Sequence, residues 1–396
     1  MTTRDEAHQL VEKFLAEHPV HSTPDRELRG ARFDAGLAWV HFDEGFGGRG
    51  WNASYQGMVE RRFLDAGAVN WMSGNMISLG MAAPTINAYG TDEQRARYLR
   101  PLFTGEEIWC QLFSEPGAGS DLASLATRAV REDGGFRLNG QKIWTSLAHV
   151  ARYGLLLART DPSLPKHQGL SYFVLDMTLP GVEVRPLRQL TGQAEFNEVY
   201  FTDVLVPEAN LLGPVGAGWK VALTTLANER VVIGSRNPRR GEGTIGVAVK
   251  EFAAAAAAGR ASAEDRDRLL RLWTLAEAAR LTNLRAAAQR GSAAPGPQGS
   301  IAKLQYAELN KAIYELCVDL RGLDGMLISD YTETRPERSS GGTAGDVRKA
   351  FLRSLANTIE GGTSDVLRNI LGERVLGLPG EPRADRDLPW KDLPRS

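Results

Sequence analysis

The chain has 396 residues, 42% hydrophobic and 24% charged, with a formal net charge of -1. That length fits roughly two or three domains, the apolar content suffices for sizeable cores without disulfide or metal staples, and the even charge balance excludes the basic field a nucleic-acid partner needs. The longest apolar low-complexity run, 253–258, is far short of the ~18–20 residues of a membrane span, and the polar start, Met1-Thr-Thr-Arg-Asp-Glu6, lacks the core of a signal peptide.

From residue 3 to about 105 the apolar spacing is helical. Leu10, Val11, Phe14 and Leu15 share one face of a first helix, and Met58, Val59, Arg62 and Phe63 mark a second over 55–66. Thr91-Asp-Glu-Gln94 reads as a capping box whose helix should run to about Leu99 and stop before Pro101. After Trp109 the period changes. Short β-rich runs at 136–144, 153–159, 171–176, 182–187 and 197–206, separated by turn residues, predict a compact antiparallel barrel or sandwich. Past Gly218 helices are expected over 219–234, 247–258, 263–290, 300–320 and 344–371, with breaks at 291–299 and 339–345, and such lengths suggest a four-helix-type bundle. The expected organisation is α+β multidomain: an N-terminal helical domain (1–108), a central β domain (109–214) and a C-terminal helical bundle (215–396).

Gly45-Phe-Gly-Gly-Arg-Gly50 matches the dinucleotide fingerprint letter for letter, but no βαβ unit surrounds it, so it is read as a loop. None of the six histidines pairs at the helical i, i+4 spacing of a zinc site, and no metal is expected. A nucleophile elbow and a Walker lysine are both missing, which leaves hydrolase and phosphoryl-transfer chemistry without support. Cys110 and Cys317 form no framework and fit a reducing, cytoplasmic setting.

Two segments carry chemistry. In Trp109-Cys-Gln-Leu-Phe-Ser-Glu-Pro-Gly-Ala-Gly-Ser-Asp121, Ser114 and Ser120 offer hydroxyls while Gly117 and Gly119 leave backbone N–H groups uncovered. Such a loop can cradle an anionic or heteroaromatic ligand, or be an ordinary turn between the helical and β regions. In Asn139-Gly-Gln-Lys-Ile-Trp-Thr-Ser146 an indole stands beside two hydroxyls, the set a flat hydrogen-bonding ring needs.

Together the two segments resemble the flavin-binding signatures of the acyl-CoA dehydrogenase family, Ser/Thr-Glu-Pro-x-x-Gly-Ser-Asp and Trp-x-Thr/Ser. The likeness extends to 43–50, to 197–212, to Leu211-Leu-Gly-Pro-Val-Gly-Ala-Gly-Trp-Lys220 and to the closing Ile359-Glu-Gly-Gly-Thr-Ser364. The resemblance implies non-covalent FAD, an acyl-CoA substrate and an electron-transferring flavoprotein or similar acceptor. It places Gln111, Phe113 and Ser114 at the flavin's pyrimidine edge and Trp144, Thr145 and Ser146 on its other side. Gly119 and Ser120 fall where phosphate or the thioester arm is held, and Thr363 and Ser364 reach the cofactor from the last bundle helix.

The reaction implied is α,β-dehydrogenation, which needs a carboxylate base. The widespread family position, immediately before Gly-Thr-Ser, is occupied here by Gly361, with Glu360 one residue earlier. One residue on a helix or turn swings a side chain by about 100°. The family's second solution, a Glu before an Arg on the first bundle helix, matches Glu229-Arg230. Glu229 also lies in line with Ala222, Leu226, Val232 and Ile233, where a carboxylate is costly unless paired or used. It is assigned as the base, Arg230 as a substrate contact. A structural ion pair at Glu229, and Glu360 as base, are the other readings.

On the adenine side the resemblance weakens. The family's Arg-x-x-Phe-Gly motif is replaced by the alanine run near 252–259, and its Gln-x-x-Gly-Gly motif by Arg321-Gly-Leu-Asp-Gly325, where Arg321 could still hold a phosphate. Relatives that form mixed tetramers complete each other's sites, so a hetero-tetramer with a paralogous subunit or a homo-oligomer is expected. Oxidase or monooxygenase chemistry on a non-CoA substrate, and a non-catalytic partner subunit, are the alternative functions.

Overall fold

In a computed structural model of the chain, the Thr91 hydroxyl accepts the Gln94 N–H at 3.2 Å and the Gln94 side chain accepts the Thr91 N–H at 3.0 Å, closing the expected capping box. The structure describes residues 3–234, 238–288, 297–328, 332–337, 345–380, 382 and 385–393. The N-terminal helices are α1 (Arg4–Glu17), α2 (Asp25–Asp34), α3 (Gln56–Asp65), α4 (Ala83–Tyr89) and α5 (Asp92–Thr104). Contrary to expectation, α5 does not stop before Pro101; it runs through to Thr104 and ends on Gly105 in the left-handed region at φ 75°. Tyr98, Leu99, Leu102 and Phe103 are all buried on it, and that burial outweighs the backbone bond a helical proline forfeits. The Gly45–Gly50 segment is a loop, and among the described residues no strand precedes it. A single turn of π-helix, Ser78–Ala82, wholly buried, leads into α4.

Among the described residues seven strands follow: β1 (Trp109–Leu112), β2 (Arg128–Glu132), β3 (Gly135–Ser146), β4 (Tyr153–Arg159), β5 (Leu170–Asp176), β6 (Val182–Leu187) and β7 (Phe196–Pro207). They pair in the order β1-β4-β2-β3-β7-β6, with β5 also on β4. The sheet is mixed, a correction to the antiparallel expectation: β1 lies parallel to β4, and β2 meets β4 in parallel at Arg128 and Arg159. The remaining pairs are antiparallel. The two unexpected strands, β1 and β2, are the shortest, and neither alternates cleanly enough to announce itself.

The bundle comprises α6 (Gly218–Gly234), α7 (Thr244–Ala257), α8 (Ala263–Ala288), α9 (Gln298–Asp319), α10 (Val347–Ser354) and α11 (Ser364–Arg374). The helix expected over 344–371 is two helices. A 3-10 turn, Leu355–Thr358, ends the first, Gly361 and Gly362 at φ 64° and 92° reverse the chain, and the Thr363 hydroxyl caps the second by accepting the Val366 N–H. Most of the breaks at 291–299 and 339–345 lies outside the described residues. Among the described residues no helix is long and apolar enough to cross a membrane.

The layers meet on α6. Its Val221 and Ala222 share one core with Leu79 and Ile86 of the N-terminal region and with Trp109, Phe113 and Tyr172 of the sheet. Thr225 fixes this contact: its hydroxyl lies 2.9 Å from that of Thr85 and 2.9 Å from the Tyr172 hydroxyl.

Candidate active site

The loop after β1 is built on a buried ion pair. Lys142 of β3 is fully buried; its ammonium donates to the Glu115 carboxylate at 2.8 Å and to the Phe113 carbonyl at 2.9 Å. Glu115 also accepts the Ala126 and Thr127 N–H groups at 2.6 and 2.9 Å. Burial works against its charge, but Lys142, Thr127 and Ala126 outweigh it and hold the carboxyl below its usual range. The Ser114 carbonyl accepts the Ile143 N–H at 2.9 Å, which ties the loop to the end of β3. Beyond this anchor Gly117, Gly119, Ser120 and Asp121 are exposed, and open space surrounds the place where a Cβ would stand on either glycine.

At the end of β3 the register slips between Lys142 and Thr145. Trp144 takes up the left-handed conformation there, at φ 59°. An indole in that conformation is strained, and it is 56% exposed, resting edge-on against Phe196. Thr145 is fully buried, and its hydroxyl has no hydrogen-bond partner among the described residues. Asn197 fixes the same strand end: its amide donates to the Thr145 and Glu195 carbonyls at 3.0 Å, and its oxygen accepts from Arg335 at 2.8 Å. Ser114 and Ser146 are partly exposed on either side.

Glu229 comes to this place from α6. Its carboxylate accepts a hydrogen bond from Gln111, three residues before Ser114, and makes no ion pair among the described residues. Protein surrounds it on most sides while part of its surface stays open. Burial pushes the carboxyl up to about 7; the Gln111 hydrogen bond pulls the other way, and the charge of Glu360 raises it further. Arg230 turns aside, donating to the Leu226 carbonyl at 3.1 Å and to the Ser300 hydroxyl at 3.4 Å. The side chains of Val232 and Ile233, expected on the same stripe, lie outside the described residues.

Glu360 is engaged elsewhere, with both oxygens on Arg353. Lys303, almost fully buried, donates to the carbonyls of Asn357 at 2.9 Å and Gly362 at 2.6 Å and so holds the 357–362 turn in place. Thr363 spends its acceptor on the α11 cap and Ser364 is buried. Arg321 gives one edge of its guanidinium, Nε and Nη2, to Glu251 of α7 at 2.8 and 2.7 Å, while its side chain stays partly exposed.

Four residues were not legible as site residues: Lys142, Glu115, Asn197 and Lys303. Lys142 left a signal, a lysine at an inward position of a strand, which requires a buried partner, and Glu115 is the fixed glutamate of the flavin-like signature.

The orphaned Thr145 hydroxyl, the exposed indole beside it, the partly exposed Ser114 and Ser146 and the open space at Gly117 and Gly119 fit a flat heteroaromatic ring with a phosphate-bearing tail. FAD has that form.

Residues 1–106, 110–204 and 216–376 match the N-terminal, middle and C-terminal domains of acyl-CoA dehydrogenase. The chain is 37% identical over 358 residues to the acyl-CoA dehydrogenase IpdE1 of Mycobacterium tuberculosis, covering 88% of this chain and 86% of that protein. It is 40% identical over 361 residues to FadE34 of the same organism, covering 91% of this chain but 47% of FadE34, so it spans about half that relative's length. Among solved structures, the Tcur3481-Tcur3483 steroid ACAD is similar at 27% identity and a TM-score of 0.71, over 96% of this chain and 98% of that one. The ChsE4-ChsE5 complex from Mycobacterium tuberculosis is similar at 29% identity and a TM-score of 0.70, over 96% and 99%. The chain belongs to the acyl-CoA dehydrogenase family, FAD-dependent oxidoreductases that act on CH–CH donors.

Proposed function

We propose that this chain dehydrogenates an acyl-CoA thioester to the 2-enoyl-CoA, with Glu229 as the base. The observation that carries the reading is Glu229 itself: a carboxylate on α6, hydrogen-bonded by Gln111, outside any ion pair among the described residues, and pushed up to about 7 by burial. A base poised near the working pH is half ionised there and still has the proton affinity to act. Ser114, Trp144, Thr145, Ser146 and the Gly117–Ser120 backbone would hold FAD, with Thr363 and Ser364 reaching it from α11. FAD, when bound, supplies the acceptor for the β-hydrogen as hydride. Glu229 removes the α-proton, Gln111 keeps its carboxylate aimed, and the Thr85–Thr225–Tyr172 hydroxyl contacts fix the helix one turn before it. Arg230 is the substrate contact nearest in sequence.

Arg321 shares its charge with Glu251 and the alanine run replaces the usual arginine motif, and in this reading the adenine side of the cofactor draws on another subunit. Likeness to the ChsE4-ChsE5 complex favours a paralogous subunit over a second copy. Likeness to the steroid ACAD makes steroid-type acyl groups the first class to screen. An electron-transferring flavoprotein or similar carrier takes the electrons onward.

The test is anaerobic flavin bleaching by acyl-CoAs of graded size, steroid-type thioesters included, followed by transfer to an artificial acceptor. Bleaching by one class and none by its free acid is expected. A yellow protein that no thioester bleaches, or whose reduced flavin is reoxidised mainly by oxygen, would overturn the reading.

A further inference from the structure

The match to the family's C-terminal domain ends at residue 376, but the chain beyond it returns to the β domain. Residues 385–393 lie along the 162–166 turn: the Trp390 N–H donates to the Leu164 carbonyl at 2.9 Å, the Lys391 N–H to the Pro162 carbonyl at 3.0 Å, and Pro389 forms a bridge with Pro165. Two side chains then reach past this turn to one target. The Trp390 indole N–H donates to the Ser124 carbonyl at 3.1 Å, and its ring covers the Arg159 guanidinium at 4.4 Å. Arg159, buried, donates in turn to the carbonyls of Ala123 and Leu125. Asp385 accepts from Lys166 at 2.8 Å, and the same ammonium donates to Asp121 at 2.9 Å.

We infer that residues 385–393 form a strap that sets the shape of the 117–124 loop, with Lys166 and Trp390 as positioning residues for the cofactor site. The inference rests on the reading of that loop as the FAD cradle. At its far end the loop is anchored within the β domain by Arg159 and by the burial of Leu122 and Ala123, and the strap adds to these anchors at Asp121 and Ser124. Asp121 depends on Ser124 and Lys166, and Ser124 depends on Trp390. Without the strap, Lys166 keeps one carboxylate of two and the Ser124 carbonyl loses this donor. The indole face also leaves Arg159, and a cation over an aromatic face gains most when, as here, it is desolvated.

Hydrogen exchange of the flavin-free full chain, of a chain lacking residues 377–396, and of Asp385→Asn and Trp390→Ala tests the strap directly. Amides of 117–124 should exchange at least tenfold faster without it, while β3 and β7 amides stay protected. FAD dissociation constants measured on the same proteins should rise in step, with Lys166→Arg keeping most of the affinity and Trp390→Phe, which keeps the ring over Arg159 but not the N–H to Ser124, falling between wild type and Trp390→Ala. Unchanged exchange at 117–124 would overturn the strap, and faster exchange with unchanged FAD affinity would overturn its role at the cofactor site. If the shortened chain fails to fold, the single substitutions carry the test. A full chain that takes up no FAD even together with its partner subunit would instead overturn the proposed function, while the exchange result still decides the strap.

Discussion

Glu360 gives both carboxylate oxygens to the guanidinium of Arg353, at 3.1 and 2.9 Å, and takes a further hydrogen bond from Asn357 at 2.7 Å. A carboxylate so committed is a structural element, since freeing it to take a proton would strand a mostly buried arginine beside Glu195. Glu229 carries no such commitment. Glu229→Gln should therefore slow flavin bleaching by roughly 10²–10⁴-fold with acyl-CoA binding largely kept. Glu360→Gln should lower thermal stability and change the rate far less. Stopped-flow absorbance on both variants checks this; the opposite ranking would move the base to the 357–362 turn.

The wild-type bleaching rate should rise with pH through about 7, because the carboxylate form of Glu229 is the active one. The Gln111 hydrogen bond favours that form, so Gln111→Leu should displace the midpoint to higher pH. A rate profile of the two proteins between pH 5 and 9, on the order of the usual working range, reads the displacement and its sign.

The same raised value makes a stability prediction that needs no substrate. A carboxyl whose folded value exceeds its unfolded one contributes stability at low pH and loses it as pH rises through the folded value. Glu229→Gln should thus melt higher than wild type above pH of about 7, and the difference should fade toward the ordinary carboxylate range. Calorimetry at both ends of that window measures it. A variant less stable at high pH would mean that the ionised carboxylate is well solvated or paired.

Lys142→Met should be among the most destabilising single changes in the β domain. It leaves Glu115 buried with its cation gone, a loss of roughly 3–5 kcal/mol when one member of such a pair is removed. Denaturant melts give the figure. Flavin affinity should fall as well, since the Glu115 anchor of the loop is lost.

Thr145→Val separates cofactor binding from folding. The hydroxyl is buried without a partner among the described residues, so an isosteric methyl should leave the flavin-free protein as stable or slightly more so. FAD affinity should nevertheless drop. Paired melting and flavin titrations check both halves.

Periodicity and turn chemistry were enough to order the chain as helices, then strands, then helices, because a 3.6-residue or two-residue apolar repeat is a local property. The Thr91–Gln94 cap and the two flavin-like segments were legible for the same reason: each is contiguous. Pro101 was misread because its local penalty is visible in sequence while the burial of Leu102 and Phe103 that offsets it is not.

Contacts between distant segments were decided only by the folded chain. The parallel seat of β1 on β4, the hydrogen bond from Gln111 to Glu229, the closure of Lys142 on Glu115 and the engagement of Arg321 by Glu251 each join residues about 27 to 118 positions apart. Sequence placed a glutamate on an apolar stripe of α6. Whether that carboxylate is paired, and how far its proton affinity rises, depends on desolvation by three layers that meet only in the tertiary structure.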